Sequence, residues 1–171
     1  MPAEFDVHAL YDALDAQRAA RNMTWAGVTR ALNDRFRDVP ARPMSASTVT
    51  GMRAKGAVEG NGVLQMLIWL ERTPESFVPG HPLANAPEAA LPTCGPDMIM
   101  RWHTGIIYEA LDAQRAARGM TWKQVAGEIG GFNASGLTRL KTPGLVAFPG
   151  VMRIFAWLDR PAAAFVRPSR T

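Results

Sequence analysis

The chain has few of the residues that build catalytic and metal centres. Of its 171 residues only Cys94 is cysteine, and the three histidines, His8, His81 and His103, are scattered. One cysteine excludes an internal disulfide and suits a reducing compartment, so a cytoplasmic location is expected. No paired His/Cys spacing, nucleophile elbow or phosphate-binding loop occurs, so no metal, cofactor or enzymatic activity is expected. Asp15 and Asp112 fall inside a repeated helical segment and read as helix-surface charges. Long apolar runs are missing too, none approaching the roughly 20 residues that span a bilayer. The first five residues lack the basic start and apolar core of a signal peptide. No membrane partner is expected.

What the chain does have is a repeat. Residues 14–21, Leu-Asp-Ala-Gln-Arg-Ala-Ala-Arg, return unchanged as 111–118, and Met-Thr-Trp follows each copy after one residue. Tyr11 maps on Tyr108 and Trp25 on Trp122, a shift of 97. Further on the shift is 88: Ala46-Ser47 maps on Ala134-Ser135, Thr50 on Thr138, Gly62-Val63 on Gly150-Val151 and Trp69-Leu70 on Trp157-Leu158. The first copy therefore carries nine extra residues between Leu32 and Ala46. Two copies of one small unit are implied: repeat 1 at 1–78 with an extended loop at 33–46, a proline-rich linker at 79–97, and repeat 2 at 98–171. The linker prolines favour a semi-extended chain with a reach of about 50 Å.

Charge is unevenly spread. Residues 1–80 hold nine Lys/Arg and nine Asp/Glu, whereas residues 98–171 hold ten against four, a balance of +6. Even the neutral half gathers Arg30, Arg35, Arg37, Arg42, Arg53 and Lys55 within 26 residues. Local basic patches suit a polyanion, although a solvated arginine-rich surface would look the same.

Apolar spacing predicts an all-α fold of two tandem domains, with four to five helices each. Val7, Leu10, Tyr11 and Leu14 line one face of a first helix. Thr24 and Thr121 are N-caps of a second, and Gln124 completes a Thr-x-x-Gln capping box in repeat 2. A third helix begins near Ser45 or Ser47, and near Asn133 or Ala134, burying Val49 and Met52 or Leu137 and Leu140. The fourth, at 63–70 and 151–158, is the most apolar stretch of each unit. Pro74 and Pro161 open a last turn. Residues 98–103 read either as a short strand or as an extended lead-in.

Repeat 2 reads Thr-Trp-x-x-Val-Ala-x-x-Ile-Gly at 121–130, a turn, then Asn-Ala-Ser-Gly-Leu-Thr-Arg-Leu at 133–140. Repeat 1 has Ser-Ala-Ser-Thr-Val-Thr-Gly-Met at 45–52. This order resembles the Cro/lambda-repressor-like (XRE-type) helix-turn-helix domain. Repeat 2 departs by a turn one residue longer, and repeat 1 by its extra loop, by Gly27 in place of the glutamine and by Gly51 in place of Arg139.

The resemblance implies a transcriptional regulator that binds double-stranded DNA, nucleoid-associated when bound, its third helices entering adjacent major grooves. A reading helix wants small polar residues and an occasional long donor on its outer face. The base-reading candidates are Ser47, Thr48, Thr50, Asn133, Ser135, Thr138 and Arg139. Phosphate candidates are Arg35, Arg37, Arg42, Arg53, Lys55, Arg118, Thr121, Lys123, Gln124 and Lys141. The competing expectation is a protein-interaction scaffold, a homodimer or a partner of another regulator, in which only repeat 2 or neither repeat binds DNA.

Overall fold

The structure, a computed structural model, describes residues 3–40 and 44–170. Each repeat opens with a long helix, α1 (Val7–Ala20) and α5 (Thr104–Ala117). The Asp6 carboxylate caps α1 by accepting the Ala9 amide at 3.0 Å, and His103 Nδ1 caps α5 by accepting the Ile106 amide at 3.1 Å. The next pair, α2 (Trp25–Asp34) and α6 (Trp122–Ile129), starts behind Thr24 and Thr121, and the Gln124 capping box forms in α6. Then come α3 (Ala46–Lys55), capped by Ser45, and α7 (Ala134–Thr138), capped by Asn133 and prolonged by a 3-10 turn at Arg139–Lys141. The apolar α4 (Gly60–Leu70) and α8 (Gly150–Leu158) close each unit, followed by 3-10 turns at Pro74–Phe77 and Ala162–Phe165.

The repeated phrase is scaffold. Arg18 bonds both Asp15 and the Met23 carbonyl, and Arg115 bonds Asp112 and the Met120 carbonyl in the same way. Each arginine thereby ties the end of the first helix to the turn before the second. Gln17 and Gln114 donate to the Trp69 and Trp157 carbonyls at 3.2 and 3.0 Å, docking the first helix on the end of the fourth. Tyr11 stacks on Trp25 and Tyr108 on Trp122, both with centroids 5.3 Å apart.

The expectation of a purely helical fold is corrected by four short strands among the described residues: β1 (Val58–Glu59), β2 (Ile99–Trp102), β3 (Ala147–Phe148) and β4 (Val166–Ser169). They form two antiparallel two-stranded sheets, β1–β3 and β2–β4. Strands of two to four residues are too short to show a period-two pattern. Their partners lie far away in sequence, and such ribbons hold only when packed against other elements. Residues 98–103, open in sequence between strand and lead-in, contain β2.

The β1–β3 ribbon joins the two repeats. Glu59 lies opposite Ala147, and under the shift of 88 these are the same position. Val58 faces Phe148 on one side, and on the other the Gly60 amide donates to the Val146 carbonyl at 2.7 Å. An antiparallel ladder that sets a residue opposite its own counterpart has a local two-fold axis there, the arrangement of an isologous dimer within one chain. Side chains break the symmetry at that axis. Gly60 and its counterpart Phe148 differ because a Cβ on Gly60 would sit 2.6 Å from Val146 Cγ2 and 2.9 Å from both the Val146 carbonyl and Trp102 Nε1. The indole Nε1 donates to the Gly60 carbonyl at 3.0 Å, and Phe148 packs against Phe5 and Trp102.

One buried cluster runs through both repeats, from Leu10, Leu14 and Leu67 to Ile107, Leu111 and Phe155. Hydrogen bonds also cross: Gln65 Nε2 to the Met100 carbonyl at 3.0 Å and the Trp102 amide to Asn61 Oδ1 at 3.3 Å. The linker is folded onto the protein instead of stretched, with a 3-10 turn at Pro87–Ala89, Ala89 buried, and Leu91 and Cys94 packed against the core. The described part of the extra loop of repeat 1, residues 33–40, is docked as well. Its Phe36 and Val39 bury themselves with Ile99 of β2, and the Asp38 amide donates to the Pro96 carbonyl at 3.1 Å. Asn33 clasps Met44, donating to its carbonyl at 2.8 Å and accepting its amide at 2.6 Å.

Candidate nucleic-acid interface

The third helices present small polar faces. On α3, Val49 and Met52 are buried while Ser47, Thr48 and Thr50 are exposed. On α7 and its 3-10 turn, Leu137 and Leu140 are buried, Asn133, Ser135 and Arg139 are exposed, and Thr138 is half-buried. Local hydrogen bonds hold most of these groups. The Ser45 hydroxyl lies 2.8 Å from that of Thr48 and 3.0 Å from that of Ser47. Thr50 donates to the Ala46 carbonyl at 3.0 Å and Thr138 to the Ser135 carbonyl at 3.3 Å. Asn133 Oδ1 accepts from the Ser135 hydroxyl and the Gly136 amide, which leaves its NH2 as the donor it can offer.

Arg139 differs from the rest. It is exposed, and its guanidinium meets no acid, carbonyl or ring among the described residues. At the matching position, Gly51 has open space where a Cβ would stand.

The cations divide by how they are held. Arg53 lies over the Tyr11 ring at 5.6 Å and its counterpart Lys141 over Tyr108 at 5.1 Å, so each third helix ends in a cation steadied on the first helix. Lys55 and Lys123 are exposed and have no ion pair among the described residues. Arg37 is paired with Asp34 at 3.3 Å. Arg35 is exposed, beside Cys94, whose thiol is pushed up mainly by burial. Arg42 lies outside the described residues.

Arg118 is engaged, donating to both oxygens of Glu128 at 2.9 and 3.0 Å and lying 5.7 Å over Trp157. These bonds, with a further one from Trp157 Nε1, hold the Glu128 carboxyl below the usual carboxylate range. Thr121 and Gln124 are exposed but bonded to each other in the capping box.

Sequence reasoning took Arg21 as a helix-end cation and left it out of the phosphate candidates. It is exposed and lies over Trp69 at 5.3 Å as Arg118 lies over Trp157, but it has no acid partner among the described residues, and Ala31 occupies the place of Glu128. That alanine, visible in the repeat alignment, was the signal.

No cluster of three or more metal-ligating side chains occurs among the described residues. Nor is any described helix long and apolar enough to cross a membrane. His81 and His103 accept backbone amides through Nδ1, a turn-forming role. No family model, no curated protein and no solved structure matches the chain, so the site is read from its own geometry.

Proposed function

We propose that the protein binds double-stranded DNA sequence-specifically as a transcriptional regulator, with α3 and α7 entering adjacent major grooves. The observation that carries this reading is a pair of equivalent helices with small polar outer faces and basic ends, flanking one two-stranded ribbon. Lys55 stands four residues before Glu59 and Lys141 six before Ala147. At about 3.5 Å per residue, and about 5 Å across the ladder, the two basic ends lie within roughly 40 Å of each other. A spacing of about 34 Å, one turn of B-DNA, falls inside that reach.

The +6 balance of residues 98–171 supports the same reading, since phosphate neutralisation supplies most non-specific affinity. So does the resemblance of the Thr-capped second and small-residue third helices to lambda-repressor-like domains. Specificity would come from hydroxyl lone pairs, the Asn133 amide and Arg139, and backbone contacts from Arg21, Arg53, Lys55, Lys123 and Lys141. Selection of bound duplexes from a random pool by the whole chain tests this. An enriched motif whose binding weakens steeply with salt is the expected outcome; retention without enrichment and without salt dependence leaves the scaffold reading.

A further inference from the structure

We infer that one chain is the complete reading unit, and that its target is a single site whose two half-sites run in opposite directions and differ at the position that Arg139 reads. This rests on the DNA-binding reading and adds the orientation, the stoichiometry and the residue that sets the difference.

Orientation follows from the ribbon. Tandem repeats stacked by translation would present their third helices in the same direction, and would read direct repeats. Here Glu59 lies opposite its own counterpart Ala147, and the Val58–Phe148 pairing is matched across that point by the Gly60–Val146 hydrogen bond. The local two-fold axis turns one third helix into the other by a half rotation. A half rotation perpendicular to a duplex exchanges its strands, so the half-sites are inverted.

Stoichiometry follows from burial. The pairing edges of β1 and β3 are satisfied within the chain, and Val58 and Phe148 are buried between the repeats. The contact that a second chain would make is already made within the one chain.

The difference follows from the two reading faces. Ser47 matches Ser135 and Thr50 matches Thr138, whereas Ser45 and Thr48 are replaced by Asn133 and Gly136, and Gly51 stands where Arg139 stands, the one difference that adds a guanidinium. Arg139 is exposed and unpartnered among the described residues. An arginine in a major groove pairs in bidentate fashion with guanine O6 and N7, and glycine offers nothing equivalent. Packing does not force the glycine, because its Cβ position is open. The guanine is therefore expected in the half read by α7 and not in the half read by α3.

Selection with the full-length chain, followed by native mass spectrometry on the selected duplex, tests all three parts. One chain per duplex is expected, on inverted half-sites with a guanine preference in one half. Arg139→Ala should weaken binding about ten- to a hundredfold and erase the preference at that position only. Gly51→Arg, a sterically open change on a helix, should bring the same guanine preference to the opposite half on the opposite strand. Two chains per site, direct-repeat half-sites, or a folded Gly51→Arg variant with an unchanged motif would each overturn the inference while leaving DNA binding intact. Failure to enrich any sequence overturns the DNA reading and this inference with it.

Discussion

The Glu75 carboxylate of repeat 1 accepts the Ala162 amide of repeat 2 at 2.8 Å, and its second oxygen has no hydrogen-bond partner among the described residues. Burial raises its affinity for a proton, against the opposing pull of the Ala162 and Glu75 amides and of His81. A carboxyl whose value rises on folding favours the folded state while protonated. Its contribution is complete below the ordinary carboxylate value and is lost as pH climbs through the folded value. Glu75→Gln keeps an acceptor for Ala162 and removes the ionisation. Thermal melts at pH 5, 6.5 and 8 should show the variant gaining on the natural protein as pH rises; parallel curves would count against a buried acid at this contact.

Two glycines of one repeat should respond oppositely to a methyl group. Gly60→Ala drives a Cβ against the Val146 carbonyl at 2.9 Å on the two-fold axis, where backbone must move. A loss of about 1–3 kcal/mol is expected from such overpacking. Gly51→Ala meets nothing within 4 Å and lies inside α3, so it should gain about 0.5–1 kcal/mol. Denaturant titrations of both variants check the pair.

The elements that sequence made legible were those whose signals are local. The helix caps at Thr24 and Thr121 and the Gln124 box lie within four residues of what they bond. The buried faces of α1 to α4 and their copies follow helical spacing. Strands β1 and β3 were not legible, because Val58 and Phe148 become strand residues only by meeting each other across 90 positions, whereas the segment of β2 was open to a strand reading. The linker read as a tether because proline content reports stiffness and not docking; the burial of Ala89 is a tertiary fact. Of the candidate cations, Arg118 looked available because Glu128, ten residues on, reaches it only once α5 and α6 pack. Arg139 was legible because exposure of a long donor at the end of a small-residue helix needs no partner.

Glu128→Gln should separate engaged from available cations. The carboxylate now occupies both faces of the Arg118 fork and accepts from Trp157 as well. Neutralising it releases Arg118 and removes a negative charge from the same surface. If that surface faces phosphates, binding to the selected duplex should tighten, and the slope of log affinity against log salt should steepen by about one. Fluorescence anisotropy across a salt series reads both quantities, and an unchanged slope would place Arg118 away from the backbone.

Cutting the chain should not part it. Pro92 and Thr93 are exposed in the linker, so a protease site introduced there can be cleaved without touching the ribbon. Separation, in contrast, would expose Phe5, Val58, Trp102 and Phe148, which are buried where the repeats meet. At about 1.5–3 kcal/mol for each large apolar side chain, the cost is roughly 6–12 kcal/mol, comparable with the whole stability of a small domain, about 5–15 kcal/mol. The nicked protein is therefore expected to elute as one particle. Each half, separated in denaturant and diluted alone, should lack a cooperative melt and regain it when mixed with the other. Two halves that melt cooperatively on their own, at the temperature of the intact chain, would show that the axis at Glu59 and Ala147 merely joins finished domains.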